Sequence, residues 1–518
     1  MIRGGFAVKL QTEFRKDTVR TAVLAAFFFG LIVHLFGLVN ILHNNDDIWQ
    51  LPMGYGTGIS SGRWMLTILG DFLLKTGFCY NLSVVNGVLF LGLLAVSAGL
   101  LVSVFRIRSR LSAALMGMIF VAFPSVTSVL FFKYTTVTYG IAILLSVLAA
   151  WVLQGKWHGL LVSGICTAMA MGIYQAYVPM TITILVLLLI QQVLEGEADV
   201  WQIFRRGVSF CAALLLGVVL YFICLKVCLA VYGTALSDYQ GVDNMGKLSL
   251  GMLPGLLKRT IGDFVKLPLY DYCGLANIPA LKLLYVLLGA VAAVMMGVLF
   301  AVRVKKPLMI AAALVLCAVL PVAVNFVVIM CPDTLIYTLM VYSFVLLPCM
   351  PLILLECFPD AQNRLVDFLK KGSAVLLAAM IFCYSYYANV NYTAMYYGNR
   401  QVENYWNGII TQVRMTEGYD ASKTWAVLGN IEDPLLDSAW EYVELYGGNR
   451  FTEDLLNQYS RLAWVSNYIG YKIPAVTEER QAQLCAMPQV QEMPCWPAQG
   501  SIRIVEDTVV IKFQDLEG

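Results

Sequence analysis

The chain has 518 residues, of which 59% are hydrophobic and only 13% are charged, with a formal net charge of +2. Its mean hydropathy of +0.73 is higher than a soluble domain requires, and the near-neutral charge gives no reason to expect a nucleic-acid partner. The 13 cysteines form no CxxC pair and only three histidines are present, so a zinc centre is not expected.

Repeated apolar runs of about twenty residues predict a polytopic membrane protein. Because the runs are continuous rather than alternating, we expect helices and not the strands of an outer-membrane barrel. The first run is too long and too far from the terminus for a cleaved signal peptide, so it should remain as a helix. The fold class predicted is all-α, with about eleven transmembrane helices at 19–42, 82–105, 111–132, 136–154, 159–174, 178–194, 207–230, 280–301, 308–330, 335–355 and 373–392.

The distribution of Lys and Arg favours a cytoplasmic N-terminus. In that orientation basic residues are more frequent in the cytoplasmic segments, including residues 1–20, than in the external loops. Eleven spans then place residues 393–518 outside, where acidic residues outnumber basic ones.

Two adjacent carboxylates, Asp46 and Asp47, follow the first predicted span, and Arg63 lies sixteen residues further along the same external loop. An ionised carboxylate can accept the proton of an attacking hydroxyl or hold a divalent cation. A guanidinium group binds phosphate in a bidentate manner. The loop therefore suits chemistry on a lipid-linked anionic substrate. The alternative is structural: the carboxylates serve as turn residues, and Arg63 forms an ion pair with one of them.

Two short amphipathic helices are expected to lie in the external membrane interface. Residues 64–75 are too few to span and place polar residues every four positions, among them Asp71, which we expect to be solvated. In residues 254–267, Lys258 and Arg259 lie on the polar face. They bind either the phosphate of a lipid carrier or membrane headgroups in general.

Two residue pairs at span ends are further candidates on the external side. Lys133 is a candidate phosphate ligand, or else marks the membrane boundary. Tyr134, Tyr174 and Gln175 offer hydrogen bonds to a sugar or an acceptor, although tyrosine is also common in aromatic belts.

The composition changes after residue 392, where the long apolar runs stop. We expect residues 393–518 to form a small external α/β domain. Its predicted elements are a strand at Thr424–Leu428, helices at Leu436–Tyr446 and Glu453–Tyr468, and a hairpin formed by Ile502–Val505 and Val509–Phe513. Cys485 and Cys495 can form a disulfide if the compartment is oxidising.

The loop that contains Asp46-Asp47, a glycine-rich stretch and Ser61-Gly62-Arg63 resembles the signature loop of the bacterial glucosyltransferases that modify O-antigen in serotype conversion, the type-II Gtr family. Phe123-Pro124-Ser125, Lys133-Tyr134 and Tyr174-Gln175 resemble later stretches of that family. The resemblance covers roughly residues 19–390. It departs at Tyr134-Thr135-Thr136, which lacks the aspartate that the family often has there.

The resemblance implies a GT-C-class membrane glycosyltransferase over residues 1–392, acting on the outer face of the bacterial cytoplasmic membrane. A hexose, glucose in the family, would pass with inversion from a polyprenyl-phosphate donor to a cell-surface polysaccharide. The roles implied are a base at Asp46 or Asp47; phosphate binding at Arg63, Lys133, Lys258 and Arg259; and sugar or acceptor contact at Tyr134, Tyr174 and Gln175. No cofactor is implied, although Mg²⁺ or Mn²⁺ at the two aspartates stays open.

Two other functions compete with this interpretation. A transporter or flippase of lipid-linked sugars would use the same cations without a base, but the spans show no duplicated half and few ionisable residues, with His34 and Lys226 as exceptions. A non-enzymatic envelope assembly factor would work through the external domain and would not need Asp46 or Asp47.

Overall fold

The computed structural model describes residues 16–155, 158–237, 249, 251–304, 306–332, 335–359, 364–431, 445–448 and 456–515. Within these residues the chain is mostly helical, with one small sheet near the C-terminus. The helices up to residue 415 are α1 (Lys16–Val39), α2 (Trp64–Thr76), α3 (Ser83–Val104), α4 (Arg110–Ala122), α5 (Pro124–Leu130), α6 (Lys133–Val152), α7 (Gly159–Ile173), α8 (Val178–Glu195), α9 (Val200–Tyr232), α10 (Leu253–Lys266), α11 (Pro279–Val302), α12 (Pro307–Val324), α13 (Val327–Met330), α14 (Leu346–Leu355) and α15 (Arg364–Met415).

Seven helical segments among the described residues are long and apolar enough to cross a membrane. They are α1, α3, α6, α9, α11, α12 and the segment Gln175–Glu195, which contains α8. The pair α4 and α5 would make an eighth, but it is bent by 44°. Pro124 begins α5 and has no N–H to continue the hydrogen bonds of α4, so the predicted straight span 111–132 is a broken one.

The structure does not confirm eleven spans, because two of the remaining predicted segments, 159–174 and 335–355, are not long straight apolar helices, and the predicted span 308–330 is shortened to α12. The segment 159–174 forms only the 15-residue α7. The segment 335–355 contains two short 3₁₀ turns before the ten-residue α14. The segment 308–330 breaks at Asn325 into α12 and α13. Hydropathy counts apolar residues, whereas these breaks depend on local backbone geometry.

The N-terminal helix α1 packs between α3 and α4, and small residues allow close contact there. A Cβ atom on Gly117 of α4 would lie 2.5 Å from the carbonyl oxygen of Ala22 in α1. Glycine is therefore required at this crossing, as is common where membrane helices approach closely.

The 52-residue helix α15 continues through residue 392, where the composition changes. Its first part contains the predicted apolar segment 373–392, and its last part packs Trp406 and Ile409 against the C-terminal sheet. The composition boundary thus lies within a continuous helix, and the division into two domains at 392 stays a prediction.

The C-terminal sheet has three strands: β1 (Thr424–Leu428), β2 (Ile502–Val505) and β3 (Thr508–Lys512). Their order is β1-β3-β2, with β1 parallel and β2 antiparallel to β3. The predicted first strand and hairpin are confirmed, with the last strand shifted by one residue.

The two predicted C-terminal helices are only partly described. Residues 436–444 of the first and 453–455 of the second lie outside the described residues. The rest of the second contains a helical turn, Arg461–Ala463, followed by a π-helix, Trp464–Ile469. Cys485 and Cys495 are both free thiols, so the disulfide considered from sequence is not present.

The two short amphipathic helices are present as α2 and α10, and their location in the membrane interface stays a prediction. Asp71 on α2 is not simply solvated, as its sequence position suggested. Its carboxylate accepts hydrogen bonds from the hydroxyls of Tyr55, at 2.9 Å, and Tyr232, at 2.7 Å. Asp71 therefore joins α2 to the end of α9.

Candidate active site

The loop after α1 is folded by side chains that bond to its own backbone. The Oδ1 atom of Asn44 accepts hydrogen bonds from the backbone N–H groups of Asp46, at 3.0 Å, and Asp47, at 2.6 Å. This is the local bonding that makes asparagine favourable in turns. The side chain of Asn399 on α15 also pairs with the backbone N–H and C=O of His43. The loop is thus fixed both by its own sequence and by the long helix.

Asp47 lies at the centre of a buried polar network. Its Oδ2 atom lies 2.6 Å from His43 Nδ1 and 3.1 Å from Lys133 Nζ, and its Oδ1 accepts the backbone N–H of Lys133 at 3.0 Å. The side chains of Asp47, His43 and Lys133 are all buried. Both carboxylate oxygens therefore have partners inside the protein.

The protonation states in this network follow from burial and from Lys133. Burial alone would raise the pKa of Asp47, but the Lys133 ammonium and the His43 hydrogen bond outweigh it and hold the pKa below the usual value. Burial, reinforced by Lys133, lowers the pKa of His43 despite its bond to Asp47. His43 is therefore neutral at pH 7 and donates its Nδ1–H to the ionised Asp47.

Asp46 has a different environment from its neighbour. It is half-buried rather than enclosed. It interacts electrostatically with the phenol groups of Tyr134 and Tyr139, and Arg63 interacts with the same two groups. The fold thus brings a carboxylate, a guanidinium and two tyrosines into one region.

Arg63 is held over a stack of aromatic rings. It follows Gly62, whose φ of 73° reverses the chain after a 3₁₀ turn. Its guanidinium carbon lies 4.8 Å from the ring centroid of Tyr174, and Tyr174 stacks on Tyr139 with centroids 4.5 Å apart and planes at 15°. A cation over an aromatic face is attracted by the ring quadrupole, so the stack restricts where this guanidinium can point.

Gln175 holds the Arg63 loop through side-chain hydrogen bonds. Its Nε2 donates to the carbonyl oxygen of Ser61 at 3.0 Å and to the Tyr221 hydroxyl at 3.2 Å. The Tyr221 hydroxyl in turn donates to the carbonyl oxygen of Gly62 at 3.0 Å. Tyr221 was not predicted as a site residue, because a single tyrosine inside an apolar run gives no sequence signal.

Tyr134 packs against the glycine-rich part of the first loop. Gly56 has a φ of 75°, and a Cβ atom there would lie 2.4 Å from the Tyr134 ring. Only glycine allows both this backbone conformation and this contact. The glycine-rich stretch is therefore shaped around Tyr134, next to Asp46.

Lys258 and Arg259 lie on α10, far along the chain from the carboxylate loop, and both side chains are exposed. Arg259 donates from Nη1 to the carbonyl oxygen of Pro332 at 3.1 Å. That bond ties α10 to the segment after α13, and a role of either cation in phosphate binding stays a prediction.

The C-terminal part of the chain covers the carboxylate loop. The His43 ring meets the rings of Trp464 and Tyr468 edge-on, with centroids 6.4 and 5.4 Å apart. Asn467 donates from Nδ2 to the carbonyl oxygen of Ile48 at 3.1 Å. These contacts come from the π-helix more than 400 residues away in the chain, and sequence reasoning missed them.

The residues that the structure describes contain no group of three His, Cys, Asp or Glu side chains placed to hold a metal ion. A divalent cation bridging Asp46 and Asp47 would compete with Lys133 for the Oδ2 atom of Asp47.

Comparison with protein families matches residues 35–348, more than half of the chain, to the family described as Glucosyl transferase GtrII. Comparison with curated proteins and with solved structures finds no match. The matched range includes the carboxylate loop, the Arg63 loop and the tyrosine stack, and the type-II Gtr resemblance read from these residues is confirmed. The chain is a membrane protein that belongs to the GtrII glucosyl transferase family.

Proposed function

We propose that this protein transfers a hexose, glucose by analogy with its family, from a polyprenyl-phosphate donor to a cell-surface polysaccharide. The reaction would take place on the external face of the bacterial cytoplasmic membrane, in a GT-C-like helical domain with a cytoplasmic N-terminus. Family membership, the apolar helices and the distribution of basic residues support this proposal.

Asp46 is the proposed catalytic base. The observation that carries this choice is the difference between the two adjacent carboxylates. Asp47 is enclosed, with both oxygens bonded to His43 and Lys133, whereas Asp46 is half-buried in the region of Arg63 and Tyr134. A base must be within hydrogen-bond reach of an incoming hydroxyl, and of the two only Asp46 has a partly accessible side chain. Asp47, with Lys133, then serves to hold the loop.

Arg63 is the proposed ligand of the donor phosphate. Its guanidinium is positioned on the Tyr174 ring, and the loop beneath it is held by Gln175 and Tyr221. Fixed donors aimed at developing charge contribute more in a water-poor site than in bulk water. Lys258 and Arg259 are proposed to attract the lipid headgroup or carrier phosphate from α10 rather than to take part in the chemical step.

In the proposed reaction, an acceptor hydroxyl oxygen forms a bond to the anomeric carbon of the donor sugar. The bond from that carbon to the phosphate oxygen breaks, and polyprenyl phosphate leaves from the opposite face with inversion. Asp46 takes the hydroxyl proton, Arg63 offsets the charge on the departing phosphate, and Tyr134 and Tyr174 contact the sugar or the acceptor.

The test is transfer of radiolabelled glucose from synthetic polyprenyl-phosphate glucose to polysaccharide in membranes of the source organism. Wild type is compared with Asp46→Asn and Asp47→Asn, and with Asp367→Asn, an exposed carboxylate on α15 paired with Lys371, as the control. We expect Asp46→Asn to bind donor but lower the rate about 10²- to 10⁴-fold, and Asp367→Asn to match wild type. Full activity of Asp46→Asn would refute the assignment of the base. Movement of lipid-linked sugar between leaflets without transfer would refute the enzyme in favour of a transporter.

A further inference from the structure

A cavity of about 450 Å³ lies in the C-terminal part of the chain, outside the family match. One wall is strand β1 at Trp425 and Val427, whose side chains are mostly buried in the core shared with Ile409 and Trp464. A second wall is the helix Glu478–Cys485, which contributes residues 478, 481, 482 and 485 to the lining. This spacing describes one face of a helix, and the volume lies within the range of about 300–1,000 Å³ typical of small-molecule sites.

The side chains around this cavity suit a neutral molecule with many hydroxyl groups. Gln458 and Gln481 contribute amides that both donate and accept hydrogen bonds. Arg461 and Glu478 contribute one charge of each sign, so the lining has no net charge that would select an ion. Amides that both donate and accept hydrogen bonds suit the hydroxyl groups of a sugar ring.

The Arg461 side chain is fixed by hydrogen bonds where it lines the cavity. It is 4% exposed and donates from Nη2 to the carbonyl oxygen of Val427 at 2.6 Å and from Nη1 to that of Gly429. These bonds tie the helical turn Arg461–Ala463 to the end of β1. A preorganised lining lowers the entropy lost when a ligand binds.

The cavity is connected to the carboxylate loop by one short helical segment. Arg461 at the cavity and Tyr468 at the His43 ring belong to the same run of helical turn and π-helix. Seven residues separate them, which is about 10 Å along a helix at 1.5 Å per residue. The cavity and the contact that covers the carboxylate loop therefore lie on one short continuous segment of the chain.

We propose that this cavity binds an uncharged saccharide unit of the acceptor polysaccharide, near the unit whose hydroxyl is glycosylated. The inference rests on the proposed transferase function, since that function supplies the polysaccharide as acceptor.

The kinetic test uses the full-length protein, polyprenyl-phosphate glucose and lipid-linked polysaccharide extracted from the source organism. The double variant Gln458→Ala/Gln481→Ala removes both amides, and Gln483→Ala, on the same helix but outside the cavity lining, is the matched control. We expect the double variant to raise the KM for polysaccharide about tenfold, because each lost hydrogen bond weakens binding about three- to tenfold, with the KM for donor unchanged. An unchanged KM for polysaccharide, or an equal rise in the control, would overturn the inference.

A binding measurement separates failure of this inference from failure of the proposed function. Cys485 lines the cavity, whereas Cys495 does not. The rate at which a maleimide modifies each thiol, read by mass spectrometry, should fall at Cys485 and not at Cys495 when the extracted polysaccharide is added. If wild type transfers no glucose but Cys485 is protected, the proposed reaction fails and the site stands. If glucose is transferred and Cys485 is not protected, the site fails and the reaction stands.

Discussion

Removing the charge of Asp47 should destabilise the protein far more than removing that of Asp46. In Asp47→Asn the Lys133 ammonium, only 4% exposed, loses its anionic partner at 3.1 Å. Breaking a buried ion pair from one side costs about 3–5 kcal/mol, because an uncompensated charge remains. Asp46 is half-buried, so Asp46→Asn should cost about 1 kcal/mol or less.

The double variant Asp47→Asn/Lys133→Met provides the control for this reasoning. It removes both charges. Replacing both partners of a buried ion pair by uncharged residues often leaves the free energy of unfolding unchanged. The backbone N–H of Lys133, which donates to Oδ1 of residue 47 at 3.0 Å, is kept. The double variant should therefore recover most of the stability that Asp47→Asn loses.

The assay is unfolding of the purified protein in detergent, followed by intrinsic fluorescence during heating, together with glucose transfer by each variant. We expect Asp47→Asn to unfold at clearly lower temperature, and Asp46→Asn to unfold like wild type while losing transfer. An Asp47→Asn variant as stable as wild type but inactive would refute a role of Asp47 in holding the loop and would place it in catalysis instead.

Three further outcomes are expected from the candidate active site. Arg63→Lys keeps a charge but loses the bidentate geometry and the contact with Tyr174, so the KM for donor should rise about tenfold or more in the transfer assay. Tyr221→Phe removes the hydrogen bond to the Gly62 carbonyl and should lower stability by about 1–3 kcal/mol, with a matching loss of donor affinity; an unchanged KM for donor would show that this bond does not position the loop. The lowered pKa of His43 means that the unfolded chain binds a proton below about pH 6.5 that the folded protein does not. Stability should therefore decrease as the pH falls from 6.5, by at most about 1.4 kcal/mol per pH unit, and His43→Gln should flatten that dependence in thermal scans at pH 5.0–7.5.

The sequence predicted the location of the candidate site better than the role of each residue in it. The order of a membrane span, two carboxylates and an arginine in one loop was enough to indicate Asp46, Asp47 and Arg63. It did not distinguish the two carboxylates, because that distinction depends on Lys133, 86 residues further along the chain. A contact at that separation leaves no periodic pattern in the sequence.

The same limit applies to the other candidates and to the spans. Contact of Gln175 with the sugar or the acceptor stays a prediction, and the hydrogen bonds of its Nε2 to the Ser61 carbonyl and to the Tyr221 hydroxyl were not predictable from the sequence. Hydropathy did not indicate the bend at Pro124 or the break at Asn325, because both lie within long apolar runs. Strand β1 and the hairpin were predictable because their alternation and turn residues are local signals.

The uninterrupted helix α15 has a mechanical consequence. At 1.5 Å per residue its 52 residues extend about 78 Å, and no break within it separates the apolar part from the part that packs under the C-terminal sheet. Because the helix is continuous, a tilt of its apolar part also moves the part that packs against the C-terminal sheet. The C-terminal segment that covers the carboxylate loop is thus held at a fixed distance from the apolar part of α15.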